Sequence, residues 1–219
     1  MTSLSLSKLT SLSQDIRKKG PSEDLSLYTA SDAVRQIALS PSSTALQHLC
    51  SVNESGALHK WDLRNAGVSQ DRIIAHVGGA MCIDWKNTEE PTEGEDDDGL
   101  IATGGLDGTV KIWSSRTSGV VPRPLRTLNT TFSAQNVCWR PAHPRQLAVS
   151  PHNVASSVIS RASVSELENQ NPGQNHWTNE IEIWDFERES IPLAVLRPSE
   201  GTVSGMTMIS RDIFQLTLE

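Results

Sequence analysis

Three short stretches of this chain end alike: Leu58-His59-Lys60-Trp61-Asp62, Val110-Lys111-Ile112-Trp113-Ser114 and Ile181-Glu182-Ile183-Trp184-Asp185. The two later stretches alternate apolar and polar residues, and a tryptophan closes all three. A period of two is the signature of a β-strand whose faces meet different surroundings. Two further tryptophans each precede a turn, in Met81-Cys82-Ile83-Asp84-Trp85-Lys86 and Asn136-Val137-Cys138-Trp139-Arg140-Pro141. Val34 to Pro41 reads as an earlier copy of this second kind, with Leu39 in the tryptophan's place.

The two kinds alternate at a regular step. Trp85 follows Trp61 by 24 residues and Trp139 follows Trp113 by 26. The same step beyond Trp184 falls in Val203-Ser204-Gly205-Met206-Thr207-Met208-Ile209, where another copy begins. Within a copy the interval grows from 22 to 28 to 45 residues. An acidic run lengthens the second copy, and a Ser- and Asn-rich stretch, 151–178, lengthens the third. Each copy holds a strand, a turn, a second strand, a tight turn and a Trp-ended third strand. Segments such as Arg72-Ile73-Ile74 supply a fourth. Repeats of about 40–45 residues with four strands each describe propeller blades. The expected fold is therefore all-β: a partial propeller of about three blades plus the start of a fourth, a fragment of a larger ring. Residues 31–219 form this arc, with insertions near 87–99 and 151–179. Residues 1–30 are an N-terminal segment in which Leu12-Ser13-Gln14-Asp15 reads as the remnant of an earlier blade.

The second copy is the most complete, running from Ala75-His76 to Leu100-Ile101-Ala102-Thr103-Gly104-Gly105-Leu106-Asp107-Gly108-Thr109-Val110-Lys111-Ile112-Trp113. Asp107-Gly108 suits a tight hairpin turn. A buried indole needs an acceptor, and a hydroxyl supplies one. This stretch resembles the WD-repeat family. The resemblance implies that His76, Thr103, Asp107 and Trp113 form that family's buried hydrogen-bonded tetrad. On this reading His76 and Asp107, which look like a catalytic dyad, are structural. In the first copy Ser55 takes the Asp position and no His precedes the repeat. In the third, Thr178 stands there. Those two blades are expected to lean on apolar packing.

The 219 residues carry a net charge of −7, and seven acids lie between Glu89 and Asp98, so the remainder is neutral. No basic footprint for nucleic acid is present. The acidic run fails as an EF-hand loop: starting from Asp96, the positions that need Gly and Glu hold Ile101 and Asp107. It reads as a solvated loop. Cys50, Cys82 and Cys138 form no CxxC and suit neither a zinc site nor a disulfide framework, and His143 and His152 have no metal-like spacing. No apolar run approaches a membrane span. The start of the chain has no secretion signal, so Asn129-Thr130-Thr131 is read as a chance sequon and the compartment as cytoplasmic. No nucleophile elbow, phosphate loop or zinc-protease motif occurs. Catalytic, cofactor and metal residues are therefore expected to be none.

Fold alone does not decide function. An enzyme on a propeller platform needs converging acids, bases or ligands, which are absent outside the tetrad. A peptide reader needs aromatics beyond the structural tryptophans. A protein-assembly scaffold needs neither. The ordered set Ser40-Pro41, Trp61-Asp62-Leu63-Arg64, Ala75-His76, Cys82-Ile83-Asp84-Trp85, Leu100–Asp107 and Val137-Cys138-Trp139-Arg140-Pro141 is similar to one WD-repeat family over roughly residues 31–210. This is the subunit of the fungal SEA complex, of GATOR type, named "restriction of telomere capping" in fungi. The resemblance implies a non-enzymatic scaffold in TOR nutrient signalling, with other WD-repeat subunits as partners and a peripheral place at the vacuolar membrane. The alternatives are an adaptor in another assembly and a non-functional truncated product. The family's downstream helical repeats and RING-type zinc domain are not in this sequence.

Overall fold

The computed structural model describes residues 9–11, 25–27, 32–41, 48–63, 71–86, 99–115, 122–141, 143–152, 180–188, 190–197, 203–210 and 213–218. Among them there are sixteen strands and no helix. Strands β1 (Leu9–Ser11) and β2 (Leu25–Leu27) pair antiparallel. Leu12 to Asp15, the acidic run Glu89 to Asp98, Thr178 and nearly all of the 151–178 stretch lie outside the described residues.

Three four-stranded antiparallel sheets follow, each connected strand to neighbouring strand. Blade one holds β3 (Val34–Leu39), β4 (His48–Asn53), β5 (Ala57–Asp62) and β6 (Asp71–Ile74). Blade two holds β7 (Ala80–Trp85), β8 (Leu100–Gly105), β9 (Thr109–Ser114) and β10 (Arg126–Asn129). Blade three holds β11 (Ala134–Trp139), β12 (Gln146–Pro151), β13 (Ile181–Asp185) and β14 (Ala194–Leu196). A further pair, β15 (Val203–Ser210) and β16 (Ile213–Leu218), begins where the fourth copy was expected. The Trp-ended strands are the third strand of each blade.

The core lies between blades rather than within them, because a single sheet has no interior. Cys50, Val52 and Leu58 of blade one meet Ile83, Trp85, Ile101 and Trp113 of blade two. Val110, Ile112 and Leu128 of blade two meet Val137, Leu147, Val149 and Trp184 of blade three. Ile181 and Ile183 turn the other way, to Val203 and Met206. Each closing tryptophan of blades two and three thus packs on the blade before it, and its neighbours one residue away pack on the blade after it. Both faces of the third strand are covered, so alternation here separates two buried surroundings rather than core from water.

The inner strands share a defect. The pairing of inner strand to second strand slips between Val34 and Gln36, Ala80 and Cys82, Ala134 and Asn136, and Val203 and Gly205. Such an extra residue bends a strand and re-aims its side chain. Arg35, Met81, Gln135 and Ser204 hold that position in the successive copies.

Candidate functional site

Blade two gathers the polar residues singled out above. His76 sits in the loop before β7, Thr103 on β8, Asp107 in the turn after β8, and Trp113 on β9. The Trp113 indole donates to Thr103 Oγ1 at 2.9 Å, and Thr103 Oγ1 lies 2.9 Å from His76 Nε2. His76 Nδ1 is 3.0 Å from Asp107 Oδ1. One arrangement of protons satisfies all of these contacts: Thr103 donates to Nε2, and Nδ1–H donates to the carboxylate. Asp107 also accepts the backbone N–H of Val77 and both the N–H and the hydroxyl of Thr109.

Burial lowers the His76 pKa below the ordinary histidine value, although Asp107 acts in the opposite sense. The ring is therefore neutral at pH 7, and its contact with Asp107 is a hydrogen bond. Burial would raise the Asp107 carboxyl, but hydrogen bonds from Thr109, Val77 and His76 outweigh it and hold the carboxyl low. Thr103 and His76 are 0% and 1% exposed. The hydroxyl and the imidazole are thus closed off from solvent.

The backbone makes room for this chain. Gly108, at φ 69°, turns β8 into β9 in a conformation that favours glycine. At Gly105 a Cβ would lie 2.5 Å from the His76 ring, so the imidazole rests on bare backbone.

The other blades fill the equivalent space differently, and their register shows how. Thr103 in blade two corresponds to Ser51 and Val149, and Gly105 to Asn53 and Pro151. In blade one the Trp61 indole donates to Ser51 Oγ at 3.1 Å. Asn53 occupies the place over which His76 rests in blade two, and its Oδ1 accepts from Ser55 Oγ and the Ala57 N–H. His59, on β5, stacks on Trp61 with ring centroids 5.9 Å apart.

Blade three has no hydroxyl at this register position, because it holds Val149. There the Trp184 indole donates to Glu182 Oε2 at 2.8 Å, and Thr131 Oγ1 donates to Glu182 Oε1 at 2.7 Å. Glu182 is 2% exposed. The expectation that this blade leans on apolar packing is corrected: a buried carboxylate replaces the missing hydroxyl. The local signal was Val149 at the Thr103 position together with an acid two residues before the tryptophan, on the tryptophan's own face.

Two half-buried lysines also serve the architecture. Lys60 Nζ donates to the Ser115 carbonyl of blade two, and Lys111 Nζ donates to the Ala75 carbonyl before it. Burial pushes the Cys50 and Cys82 thiols up to about 12, so neither is a thiolate at neutral pH. No group of three or more His, Cys, Asp or Glu among the described residues is placed to hold a metal. No helix among them is long and apolar enough to cross a membrane.

No family model matches the chain. It is 26% identical over 193 residues to the GATOR2 complex protein WDR24 of Danio rerio, which covers 88% of this chain and 20% of that protein. It is 24% identical over 242 residues to restriction of telomere capping protein 1 of Saccharomyces cerevisiae, covering 90% of this chain and 16% of that protein. The chain therefore spans a fifth or less of the length of these relatives. In fold it is similar to a WD40 propeller chain in the crystal structure of the mitotic checkpoint complex, with a TM-score of 0.60 at 15% identity, over 88% of this chain and 48% of that one. Blades, inter-blade core and comparisons agree on the fold: this chain is an all-β partial propeller, similar over most of its length to WDR24 and restriction of telomere capping protein 1.

Proposed function

We propose that this chain is a non-catalytic WD-repeat scaffold within an assembly of the SEA or GATOR2 type, and that its role is to hold neighbouring protein subunits. The observation that carries this reading is the closure of the polar interior. His76, Asp107, Thr103 and Trp113 bond to one another, and Glu182 to Trp184 and Thr131. We assign His76, Thr103, Asp107 and Trp113, with the blade-closing Trp61 and Trp184, to architecture. Residues 31–219 act as one arc. The names of the relatives support the choice of assembly. The finer reading, a place in TOR nutrient signalling at the vacuolar or lysosomal surface, rests on the same resemblance.

A scaffold needs apolar surface outside its core. Ile37 and Leu39 are 42% and 53% exposed, whereas their counterparts Ile83 and Trp85 in blade two, and Val137 and Trp139 in blade three, are buried. This strip suits a protein partner better than nucleic acid, for which the chain offers no basic surplus.

Affinity purification of the tagged chain, followed by mass spectrometry, tests the proposal. Recovery of other WD-repeat subunits of one complex, with the chain found at the vacuolar surface through them, is expected. A partner set with no link to TOR signalling, or no partner at all, would overturn it.

A further inference from the structure

Each joint inside the arc sets large apolar residues of one inner strand against smaller residues of the blade before it. Ile83 and Trp85 of β7 lie against Ala38, Cys50 and Val52 of blade one. Val137 and Trp139 of β11 lie against Cys82 and Ala102 of blade two. A side chain of the earlier inner strand then accepts a backbone N–H of the later one. Gln36 Oε1 accepts the Ile83 N–H at 3.0 Å, and Asp84 Oδ2 accepts the Trp139 N–H at 2.7 Å.

The two halves of such a joint recur, unmatched, at the ends of the described arc. Register places Ile37 and Leu39 of β3 where β7 has Ile83 and Trp85, yet they are 42% and 53% exposed. On β15, register places Thr207 where β7 has Asp84. Thr207 is exposed, as are Gln215 and Thr217 on β16, which take the places of Cys50 and Val52. The strands are complementary as well. The link from Leu27 of β2 to Val34 of β3 matches those from Ile74 to Ala80 and from Leu196 to Val203, which run from an outer strand to the next inner one. So β1 and β2 hold the third and fourth places of a blade, and β15 and β16 the first and second. Among the described residues neither pair has a further strand.

We propose that two copies of this chain close one ring. In it β15 and β16 of each copy join β1 and β2 of the other in a shared four-stranded blade, and that blade covers Ile37 and Leu39 of the other copy. Within one copy the three complete blades stand between the two half-blades. Between copies the half-blades meet, and β16 pairs with β1, which removes two open sheet edges. The Thr207 hydroxyl accepts the Leu39 N–H, as Asp84 accepts that of Trp139. Because one chain carries both halves of the joint, a second copy supplies the complement, and a two-fold axis makes the two joints identical. Three blades and two half-blades from each copy give a ring of eight, within the range of about four to eight with which propellers close. The arc matches 48% of the length of the solved propeller chain described above, so two arcs span about one ring. The proposal rests on the fold and not on the choice of assembly.

Light scattering of the purified chain tests it. The expected mass is that of two chains of 23.9 kDa each. Leu39→Arg, at a half-exposed position, should halve that mass and leave the circular dichroism of the chain unchanged. A second measurement fixes the geometry. Differently tagged Leu39→Cys and Thr207→Cys variants, mixed under mild oxidation, should form a disulfide between unlike chains, and neither variant alone should do so. A mass of one chain overturns the proposal and leaves the scaffold reading to its own test. So does a dimer that Leu39→Arg leaves intact, or cross-linking between like chains only. Should Leu39→Arg fail to fold, the cross-link between unlike chains decides alone.

Discussion

Glu182 reaches Trp184, two residues along the same strand, and takes its indole hydrogen at 2.8 Å in a blade that has valine where its neighbour has threonine. The blade keeps its form and changes the acceptor. Removing the carboxyl should expose that dependence. Glu182→Leu leaves the Trp184 N–H and the Thr131 hydroxyl without a partner, at a cost of about 1–3 kcal/mol in urea denaturation. Adding Val149→Thr to that variant restores a hydroxyl in the register position of Thr103 and should recover part of the loss. Full stability in Glu182→Leu would show that the indole bond is dispensable.

Blade two should be more sensitive to loss of its ring than of its turn carboxylate. Trp113→Ala removes a buried indole from between blades one and two and should cost about 3–5 kcal/mol. Asp107→Ala strips His76 of its acceptor and should cost about 1–3 kcal/mol. Thermal melts of the two variants beside the parent check both the order and the size.

The space above Gly105 belongs to His76. Gly105→Ala places a methyl 2.5 Å from the ring, and the imidazole must leave its contacts with Thr103 and Asp107. A loss of at least ~2 kcal/mol is expected from overpacking and broken hydrogen bonds together. Gly56→Ala should be equally harmful for a different reason. Its φ of 82° disfavours a side chain, and the new Cβ would lie 2.0 Å from the His76 carbonyl oxygen. Calorimetry of each variant measures the cost.

Acid should weaken blade two. The folded pKa of His76 lies below its unfolded value of 6.5, so the unfolded chain binds the proton first. The stability His76 contributes is present above pH 6.5 and is lost as pH falls through the lower folded value. Burial depresses His59 and His152 as well, so they act in the same sense, whereas Asp84 acts in the opposite one. The parent should therefore lose more stability between pH 7 and pH 5 than His76→Gln does. Equal losses would mean that folding does not depress the His76 pKa.

The arrangement of the arc was legible because its signals are local. Tryptophan at the end of an alternating strand, and Asp-Gly in a tight turn, each act within a few residues, and their recurrence set the blade count before any contact was known. The tetrad residues could be named because blade two retains the full pattern. Glu182 escaped notice because alternation assigns it a face but not what covers that face. The neighbouring blade, far away in sequence, buries it. Asp84 escaped for the same reason: a carboxylate between Ile83 and Trp85 says nothing of the Trp139 N–H that meets it. The slips at Arg35, Met81 and Gln135 follow from pairing geometry and leave no mark in composition.

On the function proposed above, the buried polar groups of each blade hold its tryptophan rather than carry out chemistry. Exchange of the indole hydrogens, followed by nuclear magnetic resonance, tests it most directly. The indoles of Trp61, Trp113 and Trp184 should be protected in the parent. Thr103→Val should release only that of Trp113, and Glu182→Leu only that of Trp184. Persistent protection of either indole after loss of its acceptor would contradict the account.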